Sequence, residues 1–484
     1  MFRSLSVVTA VLACASFAFG QNATGTIDGR VLDTTGSAVP AANVTIQNQA
    51  TNVKQTIPTN SEGRFYQRYL LPGTYNVTVE KAGFDKYAQN GILLDIAQTI
   101  SLDISLKVGN VATTVEVTAN TAQLATESST VTTTVGGKAI LDLPLGGNRN
   151  PLSLTTLVPG VVPTGGGSTP WISGGRNDYN DVTVDGTSVI VPENNVSHLQ
   201  VGYTPLEDSV AEFAVVTNAL EPEYGRTGGG TINIATKSGT NEYHIDLFEF
   251  FRNNVLNANT WQNDRNGVAR GIVRYNQFGG TFGGPVWIPK VYKGTNRTFF
   301  FVSEQSVRTP SAQAPLYTTP IDAWKQGNFA GLVNGSGQPI TIYDPMTAAT
   351  NPVCPAAQPT CYRSPFPGNV IPTSRFDPVA VNLMKFFPEP NNVPTNALLQ
   401  QNNFTRQGNS NSPVDQIDTR IDHNFSDKFR MFARGSNANS LSTDFNGLGN
   451  VGTPLGSGPS YGYSRNITVN AVYTLSPTTI LNFN

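Results

Sequence analysis

Ile172-Ser173-Gly174-Gly175-Arg176, then Asp181-Val182-Thr183-Val184-Asp185-Gly186, then residues 209–237, SVAEFAVVTNALEPEYGRTGGGTINIATK, decide how this chain folds. Val182 and Val184 alternate with Asp181, Thr183 and Asp185, the period-two pattern of a strand. Asp185-Gly186 follows at once, a pair suited to a two-residue hairpin turn. The longer stretch reads strand, turn, glycine-rich bend, strand. Gly225 and Gly228 to Gly230 permit tight bends where backbones crowd. Rival chemistries fail on detail. Asp181-x-Thr183-x-Asp185-Gly186 imitates the start of a calcium loop, but position twelve is Pro192 rather than Glu. No Gly-Lys-Ser/Thr follows the glycines to hold phosphates. No G-x-S-x-G elbow with a His partner is present.

Downstream of residue 240 the alternation continues in a second form. Ile417, Thr419, Ile421, His423 and Phe425 alternate with Asp418, Arg420, Asp422 and Asn424. After the turn Ser426-Asp427-Lys428, Phe429, Met431 and Ala433 alternate with Arg430, Phe432 and Arg434. Ile467, Val469, Ala471 and Tyr473 alternate with Asn466, Thr468 and Asn470. One apolar and one polar face is the pattern of a transmembrane β-barrel between lipid and a wet lumen. Tyr243, Ile245 and Leu247 open the first such strand. Phe299-Phe300-Phe301 breaks the alternation and leaves its own register open. Residues 308–413 are rich in Pro, Asn, Thr and Gly and read as one long extracellular loop, a length usual only for functional loops. Cys354 and Cys361 in CPAAQPTC are expected to form a local disulfide there.

Upstream, residues 21–106 alternate as short strands separated by turns. Ile27, Gly29 and Val31 share a face, as do Tyr75, Val77 and Val79, and Ile100, Leu102, Ile104 and Leu106 close the unit. Before it, Met1–Gly20 has Arg3, an apolar stretch and Ala18-Phe19-Gly20, the form of a cleaved export signal. Cys14 after Val11-Leu12-Ala13 keeps a lipoprotein alternative open.

Composition agrees with these readings. Charged residues are 13 % of the 484, about half the roughly 25 % usual in soluble domains. The 31 Lys+Arg and 33 Asp+Glu nearly cancel, which gives no electrostatic reason for nucleic acid as a partner. Hydrophobic residues at 38 % exclude charge-driven disorder. Outside the N-terminus no run of about 18 apolar residues occurs, so a membrane role has to use a β-barrel.

Two resemblances follow from these residues. Gly29-x-Val31-x-Asp33-x-x-Gly36, Gly63-x-Phe65, Leu71-Pro72-Gly73-x-Tyr75-x-Val77 and Gly83-Phe84 resemble the carboxypeptidase-regulatory-like domain, a transthyretin- or Ig-like β-sandwich of the carbohydrate-binding-like group. Whether this copy binds sugar, docks a partner or only spaces is open. The three histidines, His198, His244 and His423, start no H-x-x-E or H-E-x-x-H pair, so a zinc peptidase site is absent. Residues 121–240 resemble the plug of TonB-dependent transporters, with the wording of the Oar-like kind. Gly174, Gly175 and Arg176 carry the first motif, with Ser173 where the family often has Arg. Asp185 and Gly186 carry the second. Glu212 lies in the third, Val210-x-Glu212-Phe213-x-Val215. Tyr224, Gly225, Gly229, Gly230, Asn233 and Lys237 carry the closing one.

That resemblance implies a TonB-dependent outer-membrane receptor and transporter. Its parts are a signal at 1–20, a sandwich at 21–106, a linker at 107–120, a plug at 121–240 and barrel at 241–484. The fold class is mainly β, with a sandwich, an α+β plug and an incomplete antiparallel barrel. Thr114, Val115, Glu116, Val117, Thr118 and Ala119 resemble the TonB box, an extended segment that a periplasmic coupling protein grips by β-augmentation. The implied partners are that TonB-type protein, outer-membrane lipid and a small-molecule, saccharide or peptide ligand. No enzyme activity, metal or bound cofactor is implied. A non-transporting surface protein with an adhesive or glycan-binding role is the alternative. Large barrels of this kind close with about 22 strands of about 9–11 residues, so only the first part of a barrel is expected here.

Overall fold

The computed structural model describes residues 23–109, 114–118 (backbone only), 130–143, 149–162, 170–176, 179–192, 199–218, 227–265, 270, 272–313, 315–347, 363–443, 445–448, 459–476 and 479–484. Met1–Gly20, expected as an export signal, with Cys14, and Ala119, Tyr224, Gly225, Cys354 and Cys361, lie outside the described residues. Among the described residues no helix is long and apolar enough to cross a membrane.

The sandwich is built from β1 (Gly25–Asp33), β2 (Asn43–Asn48), β3 (Lys54–Pro58), β4 (Arg64–Leu70), β5 (Gly73–Glu80), β6 (Lys86–Leu94) and β7 (Thr99–Leu106). One sheet runs β4-β1-β7. The other runs β3-β2-β5-β6 and gains an eighth strand, β8 (Thr114–Thr118), at its edge. The alternating residues meet between the sheets, with Ile27, Val31, Val44, Ile46, Val77, Val79 and Leu102 all buried. The sequence reads residues 107–120 as a linker with an extended TonB-box-like segment, with a last strand of the sandwich as the plainer reading. Thr114–Thr118 pairs in parallel with Lys86 to Asn90 of β6. A five-residue β-prone segment next to an unpaired sheet edge satisfies its backbone there. The sheet therefore extends beyond residue 106.

The second unit is a five-stranded sheet built from β9 (Val131–Gly136), β10 (Asp181–Val184), β11 (Thr187–Ser188), β12 (Val210–Asn218) and β13 (Thr231–Thr236), in the order β11-β10-β13-β12-β9. β10 lies parallel to β13, and β12 antiparallel to it. A short helix, α1 (Gly137–Asp142), and a 3-10 helix over Pro151–Leu157 complete it. Asn150 caps the latter, accepting from the Leu152 N–H at 3.0 Å. Val182, Val184, Phe213, Val215, Ile232 and Ile234 form its core.

The third unit is a seven-stranded antiparallel sheet in sequence order: β14 (His244–Asn253), β15 (Arg274–Pro285), β16 (Thr298–Arg308), β17 (Val414–Ser426), β18 (Phe429–Ser442), β19 (Ser460–Ser476) and β20 (Thr479–Phe483). One face turns toward the second unit and carries Gln277, Ser303, Asp418, Arg420, Arg434 and Thr468. The other carries Leu247 (80 % exposed), Ile421 (54 %) and Ile467 (80 %), with nothing over them among the described residues. A largely apolar face of this kind suits lipid rather than water. The register of the Phe triplet resolves. Phe299 pairs with Asp422 and Phe301 with Arg420, both on the inner face, while Phe300 points out beside Phe282 and Tyr243.

Short turns, as at Asp427-Lys428, lie at the end of the sheet that carries the sandwich, and the long connections lie at the other end. The long loop differs from the structureless one expected. Ser311–Gln313 pairs with Gly408–Ser410, and Leu316–Tyr317 with Phe404–Thr405. Arg375 clamps Asp344 with two hydrogen bonds of 2.6 and 2.7 Å. Its polar residues are the loop's internal scaffold, a role that composition does not reveal.

Candidate functional site

The site is the contact between the five-stranded unit and the inner face of the seven-stranded sheet. It starts from the Asp185-Gly186 turn. Both residues have positive φ, +49° and +84°, as this two-residue hairpin requires. The turn thrusts the Asp185 carboxylate out of the end of β10 and into the wall.

There it meets two arginines. Arg420 Nη1 lies 3.1 Å from Asp185 Oδ1, and Arg434 Nε lies 2.8 Å from Oδ2. All three side chains are buried. Thr236 of β13 donates to the same carboxylate through its N–H at 2.9 Å and its hydroxyl at 2.8 Å. Arg420 also pairs with Asp422 on its own strand at 2.9 Å and stacks over Phe432. Arg434 also reaches Ser436, Asn466 and Thr468 at 2.9–3.1 Å. A buried charge is tolerated only when paired and hydrogen-bonded; Asp185 and Arg420 are hydrogen-bonded to each other, and Arg434 is paired with Asp185 by charge and hydrogen-bonded through its terminal nitrogens.

The remaining contacts climb the wall in a column. Ser238 donates to Asp422 at 2.7 Å. Asp418 accepts from Leu206 N–H at 3.2 Å and from Ser209 at 3.3 Å. Gln416 donates to the Thr204 carbonyl at 3.0 Å, Ser436 to the Tyr203 hydroxyl at 2.9 Å, and Ser464 to the Gly202 carbonyl at 2.6 Å. From Asp422 to Gln416 the column rises roughly 20 Å at about 3.3 Å per residue. On the other flank Arg149 pairs with Glu207 at 2.7 Å and sits over the Phe250 ring of β14. Burial pushes the Glu207 carboxyl above its ordinary value, and Arg149 pulls it back.

The motif residues divide into groups. Gly175, Gly229 and Gly230 come together where the 172–176 loop crosses the glycine bend. A Cβ on Gly175 would lie 2.6 Å from Gly229 Cα, and one on Gly230 would lie 2.6 Å from the Val216 carbonyl oxygen. Their absence of side chains is a packing requirement. Asn233 is fully buried and accepts from Thr183 at 2.8 Å. Lys237 pairs with Asp208 at 2.6 Å. Gly174 turns at φ +76° in open space, and Arg176 is exposed. Glu212 faces the sandwich, where its carboxylate accepts from the Ile96 N–H. Sequence reasoning did not single out Arg149, Glu207, Asp418, Arg420, Asp422 or Arg434. For Asp418, Arg420, Asp422 and Arg434, charges on the polar face of adjacent wall strands were the available signal; Arg149 and Glu207 lie in the second unit and had none.

Comparison with known proteins agrees with this architecture. Residues 26–107 match the carboxypeptidase regulatory-like domain. The TonB-dependent transporter Oar of Myxococcus xanthus is 30 % identical over 322 residues, which are 63 % of this chain and 29 % of that protein. The chain thus spans less than a third of that relative's length. The outer membrane transporter YddB from Escherichia coli aligns over 71 % of this chain and 37 % of its own, at 13 % identity and a TM-score of 0.43. A mutant of the ferric enterobactin receptor PfeA from Pseudomonas aeruginosa, in complex with enterobactin, aligns over 72 % and 39 %, at 12 % identity and a TM-score of 0.38. Residues 235–484, more than half of the chain, match the outer membrane beta barrel domain, and the chain belongs to that family, of the Gram-negative outer membrane.

Proposed function

We propose that this protein is a TonB-dependent receptor and transporter, with residues 121–240 as a removable plug in the lumen of its barrel. The observation that carries the reading is the chemistry of the plug–wall contact. Asp185 between Arg420 and Arg434, with the polar column above it, seats the plug by charge and hydrogen bonds rather than by an apolar seal. Such contacts exchange for water at modest net cost, whereas an apolar seal would resist opening in proportion to its area. Ligand, whether small molecule, saccharide or peptide, binds from outside on the loops and the outward tips of the plug. A TonB-type protein grips Thr114–Ala119 from the periplasm. Its pull is transmitted through the following chain to β9, which is an edge strand of the plug sheet.

Deleting residues 114–119 tests this. Energy-dependent uptake is expected to vanish while surface binding of ligand remains. Unchanged uptake would remove the coupling assignment.

A further inference from the structure

The sandwich does not hang free below the barrel sheet. Ile96 is fully buried against Ala214 and Ala235 of the plug, with Ala23 and Ala97 beside it. Four alanines around one isoleucine let the two backbones approach closely, and the Glu212 carboxylate takes the Ile96 N–H at the same place. A second contact lies on the other side, where the Asn241 N–H donates to the Ala50 carbonyl at 3.1 Å. Asn241 is tied in turn to Asn296 of a short connection by a 2.7 Å hydrogen bond. At a third, Val53 and Gln55 share a crevice with Lys428 and Arg430 at the β17–β18 turn. Between these contacts lies a cavity of about 600 Å³, with Tyr69 and Tyr75 of the sandwich on one side, Lys237 and Ser238 of the plug on another, and Phe301 and Asn470 of the wall on the third.

From this we infer that the sandwich is a gate. It closes the periplasmic mouth of the barrel over a vestibule, and it has to swing off the plug joint before cargo leaves. The joint is small and built largely of alanine, so it is suited to repeated release. The coupling segment has a matching position. Thr114–Thr118 is paired to β6 of the gate, and the chain then leads to β9 of the plug. One pull on that segment therefore acts on gate and plug together. The inference rests on the transport reading for its purpose, but its test does not require transport.

The test uses the full-length protein in outer-membrane vesicles open on the periplasmic side, with Cys354 and Cys361 replaced by serine. Asn470→Cys places a thiol on the vestibule wall, and a bulky water-soluble maleimide is the probe. Ala50→Cys with Asn241→Cys supplies a lock across the second contact, whose 3.1 Å backbone hydrogen bond puts the Cα atoms near disulfide range. The oxidised lock is expected to slow labelling at least tenfold relative to the reduced form. Ala214→Glu, which wedges the alanine joint, is expected to speed it at least tenfold. The lock comparison needs no destabilised protein, so a folding failure of Ala214→Glu leaves it intact. Equal labelling of locked and reduced protein would overturn the gate. Loss of uptake on deleting 114–119 reads the transport proposal separately.

Discussion

Asp185→Asn is the most informative single change. It keeps the shape of the side chain, the positive-φ turn and an oxygen for the Thr236 N–H, removes the charge, and turns the oxygen facing Arg434 and the Thr236 hydroxyl into an NH2 donor. The native carboxylate accepts three hydrogen bonds, from Arg420 at 3.1 Å and from two groups of Thr236 at 2.8 and 2.9 Å, and lies in an ion pair with Arg434 Nε at 2.8 Å. Arg420 retains Asp422 at 2.9 Å. Arg434 is left with neutral acceptors on Ser436, Asn466 and Thr468. Breaking a buried pair by removing one partner costs about 3–5 kcal/mol. Because one of the two arginines keeps a carboxylate, the lower figure applies, and about 3 kcal/mol is roughly a hundredfold in an opening equilibrium. Hydrogen exchange on the full-length protein reads this locally. The slowest amides of Thr231–Thr236 should exchange roughly a hundred times faster, while those of β17 and β18 keep their protection through the unaltered ladder. Exchange in β13 within twofold of wild type would show that the ion pair does not seat the plug.

Four further outcomes are expected. Burial raises the Glu212 carboxyl from 4.5 to about 7, with Asp95 adding repulsion and the Ile96 N–H acting against the rise. A raised acid binds its proton more tightly in the docked state, so docking is strongest below pH 4.5 and weakens by about 3 kcal/mol as pH passes 7. Spin labels on Lys54→Cys and Lys428→Cys should separate more often at pH 8 than at pH 5, and Glu212→Gln should flatten the dependence. Gly229→Ala puts a methyl 2.9 Å from the Ile172 carbonyl oxygen and should cost the plug about 1–3 kcal/mol in urea unfolding. Ile467→Arg on the outward face should cost about 2–4 kcal/mol if it sits at mid-bilayer, seen as reduced insertion into lipid vesicles. Arg375→Ala removes the two-pronged clamp on Asp344, and limited proteolysis should then cut within 363–376 faster.

In the seven-stranded sheet the strand pattern was legible because its two faces meet different surroundings, whereas β10 is buried on both faces and alternates only in side-chain polarity. Val182-Thr183-Val184, Ile421-Asp422 and Ile467-Thr468 declared their faces by simple alternation, and Asp185-Gly186 declared its turn. The glycine motif was legible as backbone geometry, since Gly175, Gly229 and Gly230 leave no room for a Cβ. The function of Asp185 was not legible, because its partner Arg420 lies 235 residues away. An arginine on a polar strand face reads equally as lumen lining. The order within the long loop was hidden for a similar reason: Asp344 and Arg375 are 31 residues apart, and Asn and Thr residues that cross-link a loop look like those that merely solvate it. A strand at Thr114–Thr118 was legible, but its partner was not, because a parallel pair has no hairpin turn to announce it.

A reversible tether between plug and wall tests the removable plug most directly. Ser238 and Asp422 touch at 2.7 Å, and Ser238→Cys with Asp422→Cys joins them. Full-length protein is placed in a planar bilayer and potassium chloride current is recorded while moderate urea loosens the plug contacts. With the tether reduced, current should rise and fall reversibly with urea. With the tether oxidised, the current should stay near its resting level at the same urea. Equal currents in the two forms, or a barrel that is lost before any current appears, would contradict a plug seated by exchangeable polar contacts.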